Sequence, residues 1–277
     1  MTTIHLIQTG SVKVKASQTR RMGSGGLGKV LFGRTWTDWL PISAWVIEHA
    51  EGIIVVDTGE TARTSEPGYF PRWQPYFRLA VQMNVKPEDE IGPQMRASGF
   101  NPERVRKVIL THFHTDHAGG ISHFPNAEFL VSEGEHRSAQ GFTGMLQGYL
   151  PNHWPEWFTP NSVQFKPEPC GPFEDSYHVT DAGDVIIVPT PGHTPNHISV
   201  IVKADGISYF LAGDTTYTQD LLLERHPDGV SPDAEVAIRT MDKVLHYAKT
   251  EPTVYLPSHD PLCRDRLRHA RLLTFAA

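Results

Sequence analysis

The chain has 277 residues, 39% of them hydrophobic and 20% charged, and its 25 basic against 31 acidic side chains leave a formal charge of −6, with a pI near 6.2. That acidic balance argues against a general nucleic-acid binder, whose phosphate-tracking surface would carry net positive charge. With only Cys170 and Cys263 and no CxxC pair, a disulfide scaffold, a cysteine-rich zinc module and a dithiol redox motif are excluded, while the length is ample for a large layered core.

From the N-terminus, residues 1–15 alternate polar and apolar side chains, as in Ile4-His5-Leu6-Ile7 and Val12-Lys13-Val14, and hold no apolar core of signal-peptide length. No window reaches the roughly 18 to 20 apolar residues that span a bilayer, so a cytoplasmic protein without a membrane partner is expected. Residues 20–41, with Gly23, Gly25, Gly26, Gly28 and Gly33, read as a long loop. Short β-branched runs bounded by turn residues then predict buried strands at 42–48, 53–56, 108–110, 128–131, 185–188, 198–202, 209–211 and 253–256. Between them, 88–98 reads as a helix that stops at Gly99, and 141–172, rich in proline and aromatics, as a second long loop. Loops of this length inside a compact domain tend to be lids or binding walls. A last helix is predicted over 233–249, where Val236, Ile238, Met241, Val244, Leu245 and Ala248 form an apolar stripe and Pro232 suits the first turn. Strands followed by a mixture of strands and helices predict an α/β fold, sheets sandwiched between helical layers, in one domain over 1–277.

The outlier in the composition is 15 histidines, which directs attention to metal or acid–base chemistry. His112-Phe113-His114-Thr115-Asp116-His117 follows directly on the strand ending at Leu110. In an extended exit from a strand, His112 and His114 point to one side, with Asp116 and His117 at the turn beyond, so the spacing can serve two adjacent ions. Ala118-Gly119-Gly120 leaves room for close backbone approach. His193, Asp214 and His259 each stand just past another apolar strand. Any one such histidine alone is more often a satisfied buried ring; the repetition of imidazole and carboxylate at strand ends outweighs that reading, because strand ends on a shared rim are where sites assemble.

The segment resembles the HxHxDH signature of the metallo-β-lactamase superfamily, and the resemblance covers nearly the whole chain. It implies a four-layer αβ/βα sandwich of two mixed sheets flanked by helices, with a dinuclear zinc site at one edge. Carried over residue by residue, it implies His112, His114 and His193 as ligands of one ion, Asp116, His117 and His259 as ligands of the other, and Asp214 as the bridging carboxylate. Val55-Val56-Asp57-Thr58-Gly59 matches the early strand-end motif, with Asp57 orienting a ligating residue rather than serving as a simple turn aspartate. Iron-based oxygen reductases of the superfamily usually carry a carboxylate where His114 stands, which favours two zinc ions and hydrolysis, although manganese, iron and cobalt suit the same donors. Two metals about 3.5 to 4 Å apart share a hydroxide formed near neutral pH, and Asp116 would move a proton between nucleophile and leaving group.

Asp214-Thr215-Thr216-Tyr217 is similar to the D-x-x-Y arrangement of the N-acyl-homoserine lactonases. That likeness implies that Tyr217 donates to a developing oxyanion, where the alternative is an aromatic packed at a helix start. The chain's end soon after His259 leaves no room for the glutathione-binding helical domain of glyoxalase II-like thioesterases, and the missing secretion signal disfavours a periplasmic β-lactamase. The two loops supply Leu27, Phe32 and Trp36, and Phe142, Met145, Tyr149 and Trp154, as walls for an acyl chain or as the contact of a homodimer. The expectation is a cytoplasmic quorum-quenching lactonase opening acylated homoserine lactones. A phosphotriesterase such as methyl parathion hydrolase, or a thioesterase, is the alternative within the superfamily, and a non-catalytic metal-binding module the alternative outside catalysis.

Overall fold

The computed structural model describes residues 2–23 and 26–275 of the chain, so Gly25 of the glycine-rich stretch and Met1 of the alternating segment lie outside the described residues. The alternation near the N-terminus is itself a strand, β1 (Thr3–Val14), which the β-branched runs did not flag because it carries polar residues on one side. Its pairing with β2 (Leu40–His49) shifts register between Gln8 and Ser11. Gly10, at φ 93°, sits in this bulge, and a Cβ there would come within 2.7 Å of the Asn84 carbonyl. One inserted residue flips the parity of the side chains, so Ile7 and Val12 are both buried although five positions apart.

The remaining strands are β3 (Gly52–Val56), β4 (Val81–Asn84), β5 (Val105–Ile109), β6 (Glu128–Val131), β7 (Asn161–Ser162), β8 (Tyr177–His178), β9 (Val185–Pro189), β10 (Ile198–Ala204), β11 (Ile207–Gly213) and β12 (Thr253–Pro257). They form a seven-stranded sheet in the order β4-β1-β2-β3-β5-β6-β7 and a five-stranded sheet in the order β12-β11-β10-β9-β8. Both are mixed: β1, β2 and β3 pair antiparallel while β3, β5, β6 and β7 run parallel, and β11 pairs parallel with β12 in an otherwise antiparallel second sheet.

Alternation along each strand builds the layers. Trp45, Ile47, Ile54 and Val56 of the first sheet face Ile187, Ile198, Val200 and Leu211 of the second. Their neighbours turn outward. Ala44, Val46 and Val108 are covered by Ile91 and Met95 of the helix Ile91–Ala97, and Ile186, Ile201 and Phe210 by Met241, Val244 and Tyr247 of the helix Ala234–Thr250. Strands buried on both faces read as continuous apolar runs, which is why most of them were legible. The result is the four-layer helix–sheet–sheet–helix order that the resemblance implied.

Local expectations need adjustment at the edges. The long helix begins at Ala234, with Asp233 accepting from the backbone of Glu235 and Val236, so Pro232 lies outside the first turn rather than in it. The 88–98 helix is a 3-10 turn, Pro87–Asp89, followed by Ile91–Ala97. Neither long loop is structureless: 20–41 contains the helix Gly26–Phe32, and 141–172 contains the helix Gly141–Leu146, a 3-10 turn Pro151–His153 and β7. Among the described residues no helix is long and apolar enough to cross a membrane.

Candidate metal centre and its cavity

Because β3, β5, β9, β11 and β12 all end at one edge of the sandwich, the residues that follow them converge. His112 and His114 lie just beyond β5, Asp116 and His117 in the short helix Thr115–Ala118, His193 beyond β9, Asp214 at the end of β11 and His259 beyond β12. Ala118-Gly119-Gly120 passes so close to the segment following β3 that a Cβ at Gly120 would meet the Thr58 carbonyl at 2.3 Å. Close backbone approach is therefore what seats the turn that carries Asp116 and His117.

The side chains form three overlapping groups, His112 with His114 and His193, His112 with His117 and Asp214, and Asp116 with His117 and His259, in each of which the donor atoms lie within 4.8 Å of one another. His112 Nε2 is 3.0 Å from His114 Nδ1, which is 2.9 Å from His193 Nε2. Asp214 stands between the halves: Oδ1 is 3.3 Å from His117 Nε2 and 3.3 Å from His259 Nε2, and Oδ2 is 3.4 Å from His193 Nε2. Asp116 Oδ2 is 3.4 Å from His259 Nε2.

Where the imidazole protons sit decides whether these residues fit metal ions. His259 Nδ1 is 2.8 Å from the Pro41 carbonyl, which only accepts, so this nitrogen carries the proton. His117 Nδ1 meets Asp57 Oδ2 at 2.8 Å and His193 Nδ1 meets Asp228 Oδ2 at 2.8 Å, with the same consequence. Thr111 Oγ1 gives its proton to Asp57 and can therefore only accept from His112 Nδ1, at 3.1 Å. Each outward nitrogen donates, so each inward Nε2 presents a lone pair to the same small space. Among the described residues, His117 Nε2 and Asp214 Oδ1 are buried there without a hydrogen-bond partner. Converging lone pairs and carboxylates with fixed outer partners are the donor set of divalent cations, and the residues fit them.

The electrostatics agree. Burial alone would raise the Asp214 carboxyl, but His259, His117 and His193 hold it well below the usual carboxylate range. Burial opposes a proton on His117, yet Asp214 and Asp57 outweigh it and raise that ring. His112 and His114 go the other way, depressed by burial and by neighbouring imidazoles, His114 to about 3. Positive charge is thus favoured around Asp214, whichever cation supplies it.

The cluster floors a cavity of 480 Å³ whose polar side carries His114, Asp116, His193, Asp214, Tyr217 and His259 and whose apolar side carries Val12, Val14, Leu27, Leu31, Val81 and Met83. Tyr217 is 3% exposed, stacked on His259 with ring centroids 5.3 Å apart. Of the seven aromatic and aliphatic residues expected as walls, Leu27 and Tyr149 line this cavity. The others do not. Phe32 is 78% exposed, Phe142 turns outward against Trp73, Trp36 lies under the Lys15 ammonium, and Trp154 packs on Phe113 behind the site. Met145 contributes its carbonyl, which accepts from Gln74, but not a wall. The physical reason is that the backbone, helical at Phe32, Phe142 and Met145 and irregular at Trp36 and Trp154, presents these side chains away from the metal edge, and apolar character by itself carries no direction.

Several residues of the site escaped the sequence reading. Asp228 orients His193 while its other oxygen caps Val230 and Ser231; the Pro-Asp-Gly turn was the one local signal for it. Glu135 accepts from Tyr149 and from Thr194, both at 2.8 Å, tying the cavity wall to the His193 loop. Gln18 and Tyr76 line the cavity beside Tyr217; Tyr76 belongs to the aromatic stretch 69–77, open in sequence to the same two readings as the loops, whereas Gln18 had no signal at all.

Comparison with known proteins places this geometry. A family model described as the Metallo-beta-lactamase superfamily matches residues 37–259. N-acyl homoserine lactonase AttM of Agrobacterium fabrum is 26% identical over 268 residues, 93% of each chain. N-acyl homoserine lactonase AiiA of Bacillus thuringiensis subsp. kurstaki is 27% identical over 224 residues, covering 80% of this chain and 82% of that one. In fold, the chain superposes on a solved N-acyl homoserine lactone hydrolase with N-hexanoyl-L-homoserine bound at its catalytic metal centre, at a TM-score of 0.76 and 22% identity over 98% of this chain and 96% of the other.

Proposed function

Since the chain belongs to the metallo-β-lactamase superfamily, we propose that it is a dinuclear zinc hydrolase that opens the ring of N-acyl homoserine lactones, acting as one domain over 1–277. The observation that carries this reading is one cavity with two unlike sides, a cluster of imidazoles, carboxylates and a phenol opposite an aliphatic wall, which matches a ligand with a compact polar head and an acyl tail. The lactonase relatives named above support the choice of head group.

A pair of zinc ions held by His112, His114, His193, Asp116, His117, His259 and the shared Asp214 would polarise the carbonyl and lower the pKa of water toward about 7. The remaining work belongs to the chain. Tyr217, kept protonated by burial and the nearby Asp214 carboxylate, donates to the carbonyl oxygen as negative charge develops on it. Asp116 lines the cavity and accepts the proton lost by the attacking water, then returns it to the alkoxide released when the ring ester bond breaks. The product is the ring-opened acyl homoserine. Val12, Val14, Leu31 and Met83 bury the tail and hold water off it. A cytoplasmic location is part of the proposal. The exposed Phe32, Trp73 and Phe142 are the surface that a homodimer would cover.

The deciding experiment is a hydrolysis panel on zinc-replete protein: acyl-homoserine lactones of several chain lengths, a thioester, a β-lactam and a phosphotriester. The lactones should show the highest kcat/KM, and a preference for the phosphotriester or thioester would overturn the reading. Tyr217→Phe should lower kcat and kcat/KM together by about tenfold with metal content unchanged, less than the 10²-fold or more of an unassisted donor because a metal shares the oxygen. A rise in KM alone would reassign the phenol to substrate positioning. The wall makes a contrasting prediction. Each methylene buried is worth about 0.8 kcal/mol, so Leu31→Ala should raise KM several-fold for a decanoyl lactone and little for a butanoyl one. Trp36→Ala, away from the cavity, should leave that ratio alone, and equal effects of the two variants would refute the wall.

A further inference from the structure

The Tyr217 hydroxyl is not free to point where it likes. Gln18, 4% exposed, sits in the helical turn Ala16–Thr19 beyond β1, and its Nε2 lies 2.9 Å from the Tyr217 hydroxyl and 2.9 Å from the Tyr76 hydroxyl. The Tyr76 hydroxyl in turn donates to Gln18 Oε1 at 3.1 Å. A carboxamide nitrogen can only donate, so Nε2 gives a proton to the Tyr217 hydroxyl while Oε1 accepts from Tyr76. Tyr76 spends its own proton on Oε1. Tyr217 receives a proton from Gln18, and among the described residues its own proton has no acceptor. The tyrosine ring is fixed by stacking on His259, so the direction of the O–H bond is the one remaining freedom, and the Gln18 N–H takes the side from which it comes. The open side is the cavity.

We propose that Gln18 is a positioning residue for lactone opening: its carboxamide obliges Tyr217 to act as a donor toward the carbonyl, and without it the phenol can turn its proton away. The inference rests on the lactonase reading for its catalytic meaning, though not for its hydrogen-bond pattern. The turn that carries Gln18 is itself held. Gln18 N–H donates to the Lys15 carbonyl at 2.7 Å, and the Gln18 carbonyl accepts from Gly229 at 2.7 Å. Gly229 adjoins Asp228, which orients His193, so one loop sets both the phenol's donor direction and a candidate metal ligand. A Cβ at Gly229 would fall 2.0 Å from the Ser17 carbonyl, and only glycine permits this contact.

Gln18→Glu is the informative change, because a carboxylate of the same shape can only accept and draws in both phenolic protons. On an acyl-homoserine lactone, kcat should fall about tenfold, to the level of Tyr217→Phe, with KM and zinc content held. The added negative charge is controlled by the double variant. In the Tyr217→Phe background Gln18→Glu should cost nothing further, and a full tenfold loss there, or unchanged kcat in the single variant, would overturn the proposal. A second measurement needs no substrate. In ¹⁵N-labelled protein the Gln18 side-chain NH₂ pair, identified by its loss in Gln18→Met, should have one proton move upfield in Tyr217→Phe as it loses its acceptor. If neither moves, Gln18 accepts from Tyr217 instead and the proposal fails. Failure of the lactonase reading shows separately, as a wild-type protein that opens no lactone.

Discussion

Asp214→Ala should empty both halves of the metal cluster at once. Its two oxygens face different partners, Oδ1 toward His117 and His259 and Oδ2 toward His193, so this one carboxylate serves both sides. Removing it leaves three buried imidazoles around a space with no counter-charge from that position, which weakens any cation there. Residues that only orient ligands typically cost 10- to 100-fold in metal affinity or activity, and a shared ligand should exceed the upper end, so a loss of more than about 100-fold in kcat/KM is expected. Elemental analysis of protein purified with added zinc should find well under one ion per chain, against two for the wild type. His259→Ala is the internal comparison. It touches one half only and should retain about one ion. Similar occupancy in the two variants would mean that Asp214 does not bridge.

The second large effect is expected at Asp57, a non-glycine residue at φ 60° and fully buried. Its carboxylate accepts from the Thr111 backbone at 2.8 Å, from the Thr111 hydroxyl at 2.9 and 3.0 Å, and from His117 Nδ1 at 2.8 Å. Through these it orients His117 directly and, by taking the Thr111 proton, fixes which nitrogen of His112 faces the cluster. One side chain therefore sets the lone-pair direction of a ring in each half. Asp57→Asn keeps the left-handed backbone, which asparagine tolerates, but puts a donor where an acceptor stood. Metal affinity should fall 10- to 100-fold with little change in Tm of the metal-free protein. Asp57→Ala should lose affinity equally and also leave the buried Thr111 N–H unpaired, a cost of about 1–3 kcal/mol visible as a lower Tm. If Asn and Ala variants bind zinc as the wild type does, Asp57 is a turn residue and nothing more.

Tyr149 and Trp36 show where reading by residue type succeeds and stops. Both stand in aromatic stretches flanking the expected site. Tyr149 turns inward because Glu135 holds its hydroxyl and its ring stacks on His114, whereas Trp36 pairs with Lys15 just past the end of β1. Nothing within either segment distinguishes them. Strand β1 makes the complementary point: its alternation was visible, but only its pairing with β2 and β4 gave it a place.

What the sequence determined by itself is the chemistry carried in short range. His112, His114, Asp116 and His117 fall within six residues after an apolar strand, and strand-end positions put His193, Asp214 and His259 on the same rim once strands are recognised, because a strand's direction fixes which end its next residue occupies. The buried strands themselves were legible because burial on both faces leaves continuous apolar runs. Tertiary structure alone decided the outer partners: Asp228 for His193, the Pro41 carbonyl for His259, Gln18 for Tyr217. The last two contacts bridge 218 and 199 residues of chain. A hydrogen bond of this kind requires two groups to meet within about 3 Å. That meeting is set by how the two sheets and their loops pack, which no local run of side chains encodes.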